Sequence, residues 1–257
     1  MLFNRTIILL SFVGFVQLLR AQDADNIKQS AYFRYAAIDD FTFADWNTYV
    51  DKYNTENNPV EKLGDFKQTF NFDIGYRFEY NKIYSSLSYQ NYHGVASASY
   101  LYGEKRQFDV TANSVSWGFG YNLINPEKKF YLAPFINMRI GDKVRVLSSA
   151  IYPDGFYSVG SDKALNGTFI GSGLLGEELG VLLKYKVTSK FSVEIEASKM
   201  WANLVVPVSV DDGSNYKAFS AKGGISSLEI TETMSAVRLM IGLSYTFSDI
   251  QNSTWWQ

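Results

Sequence analysis

The chain has 257 residues, 24 Lys+Arg against 26 Asp+Glu and a formal net charge of −2. That balance offers no basic face for nucleic acid. Cysteine is absent and histidine occurs once, as His93, which excludes disulfides, thiol catalysis and multi-His metal sites. Aromatic residues reach 16%, with Gly 19 and Pro 5, a composition of many strands joined by small-residue turns.

The elements follow in chain order. Arg5 precedes an apolar stretch from Thr6 to Leu19, broken only by Ser11, Gly14 and Gln17. It has the length of a secretory h-region and falls short of a spanning helix. A small residue, Ala21, then meets the polar run Gln22-Asp23-Ala24-Asp25. The expected signal peptide is 1–21, leaving 257 − 21 = 236 mature residues. A strand fits at 29–38. In the long connection 39–64, Trp46, Tyr49, Val50 and Tyr53 are spaced i, i+3, i+4, i+7 behind a candidate N-cap, Asp45. A short amphipathic helix is expected there, on the lipid surface, over a barrel mouth or against a partner.

From Asp65 to Tyr80 the period is two. Phe66, Phe70, Phe72, Ile74, Tyr76, Phe78 and Tyr80 share one face; Lys67, Asp73, Arg77 and Glu79 share the other. After the tight turn Asn81-Lys82, a strand at 83–92 leads into a long connection, 93–105, with His93 at the strand end. Between Arg106 and Asn122 the apolar face changes phase near Ser114, as a β-bulge would produce. Phe130 to Ile140 alternates with Asn137 and Arg139, although Pro134 removes a ladder donor. A long connection at 148–167 leads to a strand at 169–187, in which Glu178 and Lys184 fall inward and Glu177 outward. Thr188 to Lys190 turns tightly into Phe191, Val193, Ile195 and Ala197, opposed by Glu194 and Glu196. After the long connection 208–229, the last strand sets Val237, Leu239, Ile241, Leu243, Tyr245 and Phe247 against Arg238.

Eight strands with alternating short and long connections describe an antiparallel up-and-down transmembrane β-barrel, 22–247, with short periplasmic turns and long extracellular loops. Residues 248–257 follow as a periplasmic tail carrying Trp255-Trp256, which could lie at the membrane–water boundary. The expected inward charges are Asp73, Glu79, Glu178, Glu194 and Glu196 against Arg34, Arg77, Arg139, Lys184 and Arg238. Paired, they would plug a lumen that is only wide enough for side chains.

Gly242-Leu243-Ser244-Tyr245-Thr246-Phe247 resembles the closing-strand signal of small bacterial outer-membrane barrels, in which Gly242, Tyr245 and Phe247 would be read by the assembly machinery. With the export signal and the alternating strands, the chain resembles the eight-stranded OmpX, Ail and OmpA transmembrane domains. The Ala21-Gln22 junction is similar to cleavage sites in Bacteroidota proteins. The resemblance implies an outer-membrane protein, non-enzymatic and without a cofactor, in contact with lipid and lipopolysaccharide and displaying surface loops.

Other readings stay open. Barrel enzymes that trim lipid A suggest a role for His93 with Ser97 or Ser99, but the His-x-Ser spacing is absent. The acidic residues Asp39, Asp40, Asp45, Asp51, Glu56, Asp154, Asp211 and Asp212 could bridge to lipopolysaccharide through divalent cations, or form a solvated surface. A conduit for small hydrophobic molecules would need a lateral opening, expected near Ser114 or Pro134. A soluble lipocalin-like binder would turn the greasy faces inward.

Overall fold

The computed structural model describes residues 27–44, 46–151, 167–210 and 233–249. The expected signal peptide, its cleavage junction, Asp45, most of the two longest loops and the Trp255-Trp256 tail lie outside the described residues. So do Asp154, Asp211 and Asp212.

The strands are β1 (Ile27–Phe43), β2 (Lys67–Gln68), β3 (Phe72–Tyr80), β4 (Ile83–Ser99), β5 (Lys105–Tyr121), β6 (Phe130–Ile151), β7 (Gly167–Lys186), β8 (Phe191–Val210) and β9 (Thr233–Asp249). One helix, α1 (Trp46–Asn57), follows β1. All pairings are antiparallel. β1 pairs with β3 and β9, and β4 with β3 and β5, so the sheet closes on itself. The two-residue β2 also pairs with β4 and continues the line of β3. The barrel therefore has eight staves, one of them broken at 69–71, where an unbroken strand is expected from the period.

The outward side chains define the solvent. On β9, Val237, Ile241, Leu243 and Phe247 are exposed; on β7, Leu175, Leu179 and Leu183; on β8, Phe191, Val193 and Ile195; on β6, Phe130 and Ile140. The rows on β6 and β9 each cover eleven residues, which at about 3.3 Å per residue and about 45° of tilt projects to about 25 Å. An apolar belt of that height around a closed barrel is a lipid-facing surface. The protein is a membrane-spanning β-barrel.

Toward the long-loop end the polarity of the two faces inverts. Along β5 the outward side chains run Lys105, Gln107, Asp109, Thr111 and Asn113, then Val115, Trp117, Phe119 and Tyr121. The inward ones run Arg106, Phe108, Val110 and Ala112, then Ser114, Ser116, Gly118 and Gly120. No side chain changes face. The bulge expected near Ser114 to explain the phase change is therefore not a feature of β5, whose register with β4 is unbroken from end to end. What changes is the surroundings: lipid outside the lower half of the strand, water outside the upper half. The irregularity lies across the ladder in β6, which has one extra residue between Ile140 and Val144.

The strands are longer than the sequence implies, because above the lipid they follow the rule of a soluble barrel. β1 continues to Phe43, so Asp39 and Asp40 are strand residues and not loop residues. β4 continues to Ser99, which reduces the connection expected at 93–105 to 100–104. β6 continues to Ile151. Pro134 is tolerated because the β5–β6 ladder ends beside it at Gly120↔Phe135, leaving it a partner only in β7, Val181.

A charge at the centre of the belt should cost far more than one above it. Leu243→Arg is expected to lose about 2–4 kcal/mol of folding free energy in lipid vesicles, and Thr111→Arg, on an equally outward face, less than about 1 kcal/mol. Urea titrations of the two variants followed by Trp fluorescence check the difference.

Candidate functional site: a filled lumen and its lid

The lumen is occupied in three storeys. At the short-turn end Tyr84, Tyr131, Ala133, Phe135 and Leu182 form a small apolar cluster. The ionic residues cross the barrel above and beside it. Lys184 is paired with Glu79. Arg77 grips Glu194 through two bonds of 2.6 and 3.1 Å, the bidentate geometry that suits a guanidinium and a carboxylate. Arg34 bridges Asp73 and Glu196. Highest, Glu178 receives Arg139, Asn137 at 2.7 Å and Ser198 at 2.7 Å, with Arg238 3.7 Å away. Nine of these ten charged residues are buried, and Glu79 keeps a side-chain exposure of 13%.

Aromatic faces separate the cations. The Tyr32 ring lies between the Arg34 and Arg77 guanidinium carbons, at 4.4 and 4.7 Å from its centroid. Lys184 stands 4.5 Å over Tyr131. Inward glycines make room for these groups. A Cβ at Gly75 would lie 2.4 Å from the Tyr32 ring, and one at Gly242 would lie 2.1 Å from the Phe33 carbonyl and 2.5 Å from Arg34 Cγ. Gly242 thus has a local reason to be glycine, while Tyr245 and Phe247 lie against one another on the outer face with centroids 5.3 Å apart.

One partner escapes a sequence reading. Asp39, placed there among the loop acids, points inward from β1, 3.3 Å from Arg238 Nε, and accepts a hydrogen bond from Asn71 Nδ2 at 3.2 Å. A register irregularity between Ala36 and Ile38 sets this phase. The available signal was the inward spacing Asp39, Phe41, Phe43, which only makes sense once the upper lumen is known to be greasy. Arg238 therefore answers to two carboxylates.

The third storey is an apolar core that includes Phe41, Phe43, Phe66, Tyr92, Phe108 and Val110. Helix α1 closes it. Trp46 is fully buried, stacked on Phe66 at 4.2 Å and edge-on to Phe108 at 5.6 Å. Tyr53 is buried one helical stripe along, with Tyr49 and Val50 packed against the same cluster. Of the three placements open for this helix, the observed one is over the barrel mouth. It stops at Asn58, whose φ of 43° is left-handed, just before Pro59. The Asn54 side chain then clamps the returning backbone at Leu63 by two bonds of 2.9 and 2.8 Å.

The remaining cavity between the ionic and apolar storeys measures about 30 Å³, lined by Asp39, Arg139 and Arg238 below and Phe41, Tyr92 and Met200 above. That holds about one water molecule.

No protein-family model matches the sequence, and no curated protein matches it. Solved structures similar to the chain include Neisserial surface protein A, at 14% identity and a TM-score of 0.41, covering 86% of this chain and 97% of that one. Ail, the attachment invasion locus protein of Yersinia pestis, is similar at 13% identity and a TM-score of 0.37, covering 86% and 99%. The outer membrane protease OmpT of Escherichia coli is similar at 10% identity and a TM-score of 0.37, covering 87% and 94%.

His93 projects from the outer face of β4 rather than from a strand end. Its Nδ1 lies 2.5 Å from Thr69 Oγ1, and Asp109 Oδ1 is 3.9 Å from its Nε2. Ser99 is bonded instead to Glu61. The structure thus brings Thr69, not Ser97 or Ser99, to the imidazole. Glu177 also faces outward, between Leu175 and Leu179 on the same face, with Trp201 opposite and Lys199 one pair below.

Removing one member of a buried pair strands the other. Arg77→Met should destabilise the barrel by about 3–5 kcal/mol, and adding Glu194→Gln to it should restore most of the loss. Unfolding titrations of the single and double variants provide the check.

Proposed function

We propose that this protein is a non-enzymatic outer-membrane barrel that carries no solute through its lumen and presents a rigid surface platform at its long-loop end. In this reading the short turns face the periplasm. The outer face of the barrel contacts lipid and lipopolysaccharide, and Gly242, Tyr245 and Phe247 are the signal read by the assembly machinery. The observation that carries the reading is the filled lumen. Among the described residues, salt bridges, a greasy upper core and a helix lid occupy the lumen, and the upper outer wall is polar, which supports a barrel that serves by its surface. Envelope integrity and adhesion are the functions such a platform serves.

The experiment is a conductance recording. The protein refolded into a planar bilayer should give no resolved steps, and proteoliposomes should exclude small sugars. Unitary openings with wild-type protein would contradict the reading.

A second reading, a lateral conduit for small hydrophobic molecules, has one observation in its favour. The β1–β3 ladder ends at Tyr35↔Phe72, yet β1 runs on to Phe43 without a laddered neighbour on that side. The seam is spanned by Ala36 N–H donating to the Asn71 carbonyl at 2.9 Å and by Gln68 Nε2 donating to the Ala36 and Ala37 carbonyls at 3.0 and 3.2 Å. It lies away from the places expected from the sequence, Ser114 and Pro134. Because the chain has no native cysteine, Ala37→Cys with Gln68→Cys can lock the seam. Hydrophobic uptake abolished by the disulfide and restored by reductant would favour the conduit; the platform reading expects no change.

A further inference from the structure

The outer face of the barrel carries two charges where lipid should meet only apolar groups. Glu177 on β7 lies between Leu175 and Leu179, and Lys199 on β8 lies between Ala197 and Trp201. On the other described staves every charge within the belt turns inward. Among the described residues Glu177 has no ion-pair partner, and Lys199 meets only the Trp201 ring, its Nζ 5.2 Å from the centroid. Ionised groups that face hydrocarbon are costly and call for a partner.

The shear of the barrel sets these two charges at one depth. Ladder partners followed in chain order climb toward the long loops. Arg34 leads through Asp73, Gln90 and Ser114, crosses β6 near Gly141, and continues through Leu174 and Leu204 to the start of β9, which meets β1 at Phe43. One circuit thus rises from Arg34 to the upper end of β1. Trp201, the ladder partner of Glu177, is therefore higher than Glu177. Lys199 lies two residues back toward the short turns and returns to the depth of Glu177. The carboxylate and the ammonium stand side by side as diagonal neighbours, about 7–8 Å apart at the backbone.

We propose that the β7–β8 wall is the contact surface for a second copy of this chain within the membrane. Copies inserted by one route point the same way, so a two-fold axis relating them runs along the membrane normal and preserves the depth of every residue. Glu177 of one copy then faces Lys199 of the other, and the reverse, so the patch complements itself in charge. A lipid phosphate would answer Lys199 alone and leave Glu177 bare. Leu175, Leu179, Ile195 and Trp201, all exposed, surround the two pairs and would keep lipid and water from them. The axis passes between Glu177 and Lys199, close to Leu179 below and Trp201 above.

The test uses the full chain refolded in phosphatidylcholine vesicles. Leu101→Cys, at an exposed loop position in a chain without native cysteine, carries a donor or an acceptor dye. Energy transfer is followed as added lipid dilutes the protein, and saturable transfer between pairs is expected. Glu177→Leu with Lys199→Leu, which removes both charges from lipid, should weaken association by about tenfold or more while the protein keeps its heat-modified gel migration. Glu177→Lys alone and Lys199→Glu alone should each stay apart, and mixing the two should restore transfer, because opposite charges again face one another. Without the dye site, Leu179→Cys should give a disulfide-linked dimer on oxidation, and Leu87→Cys, on the far side of the barrel in β4, should not. Absence of transfer at every protein density, as expected of a surface that serves another protein or a lipid headgroup, would overturn the proposal. So would unchanged association in the double leucine variant, no rescue on mixing, or equal cross-linking at Leu87.

Discussion

A backbone in hydrocarbon must satisfy its hydrogen bonds internally, and a side chain in hydrocarbon must be apolar. Closing the sheet through β4–β5 meets the first requirement. The second drives most charges of the spanning strands into the narrow lumen, with Glu177 and Lys199 remaining on the outer face. Of the five cations placed in the lumen from the sequence, Arg34, Arg77 and Lys184 each reach a carboxylate on a strand with which their own shares no ladder, whereas Arg139 and Arg238 pair with Glu178 and Asp39 on the neighbouring strand. Arg34 on β1 touches Glu196 on β8, and Arg77 on β3 touches Glu194 on β8. With Lys184–Glu79, these pairs tie together staves that share no ladder, and they hold only if those strands are in register.

The same requirement ends where the lipid ends. Above the belt the outer wall meets water and the lumen can be greasy, so Phe41, Phe43, Phe108 and Val110 pack inside while Asp40, Lys105 and Asp109 face outward. One continuous strand is thus lipid-soluble in its lower half and water-soluble in its upper half. Trp46 and Tyr53 seal the upper core from above, and this is why α1 needs neither a membrane nor a partner to bury its apolar face. The result is a stiff cylinder that carries its long-loop end clear of the membrane.

Much of this was legible in the sequence. Uniform alternation over Phe70–Tyr80 and Val237–Phe247 located two complete spanning staves, because a single environment surrounds each. Legibility failed where the environment changes within a strand. In β5 the switch from Phe108, Val110 and Ala112 to Val115, Trp117 and Phe119 reads as a change of face when the solvent is taken as uniform. In β1 and β4 the polar outward residues Asp40, His93 and Ser97 read as loops for the same reason. Asp39 was lost with them. The break at 69–71 was hidden because Phe70 continues the aromatic row without joining the ladder. Which of the three placements α1 adopts needed the lumen's upper polarity, which no local pattern in 39–64 contains.

The inversion can be measured directly. With no native cysteine, single Cys substitutions at Gln107, Asp109, Thr111, Val115, Trp117 and Phe119 can each carry a spin label in lipid vesicles. The account predicts that all six point outward. The first three should relax with a water-soluble nickel complex and the last three with oxygen dissolved in the bilayer, the crossover falling at Asn113. Labels at Gln107, Asp109 and Thr111 that are sealed in the lumen, with those at Phe108 and Val110 exposed to lipid, would contradict it.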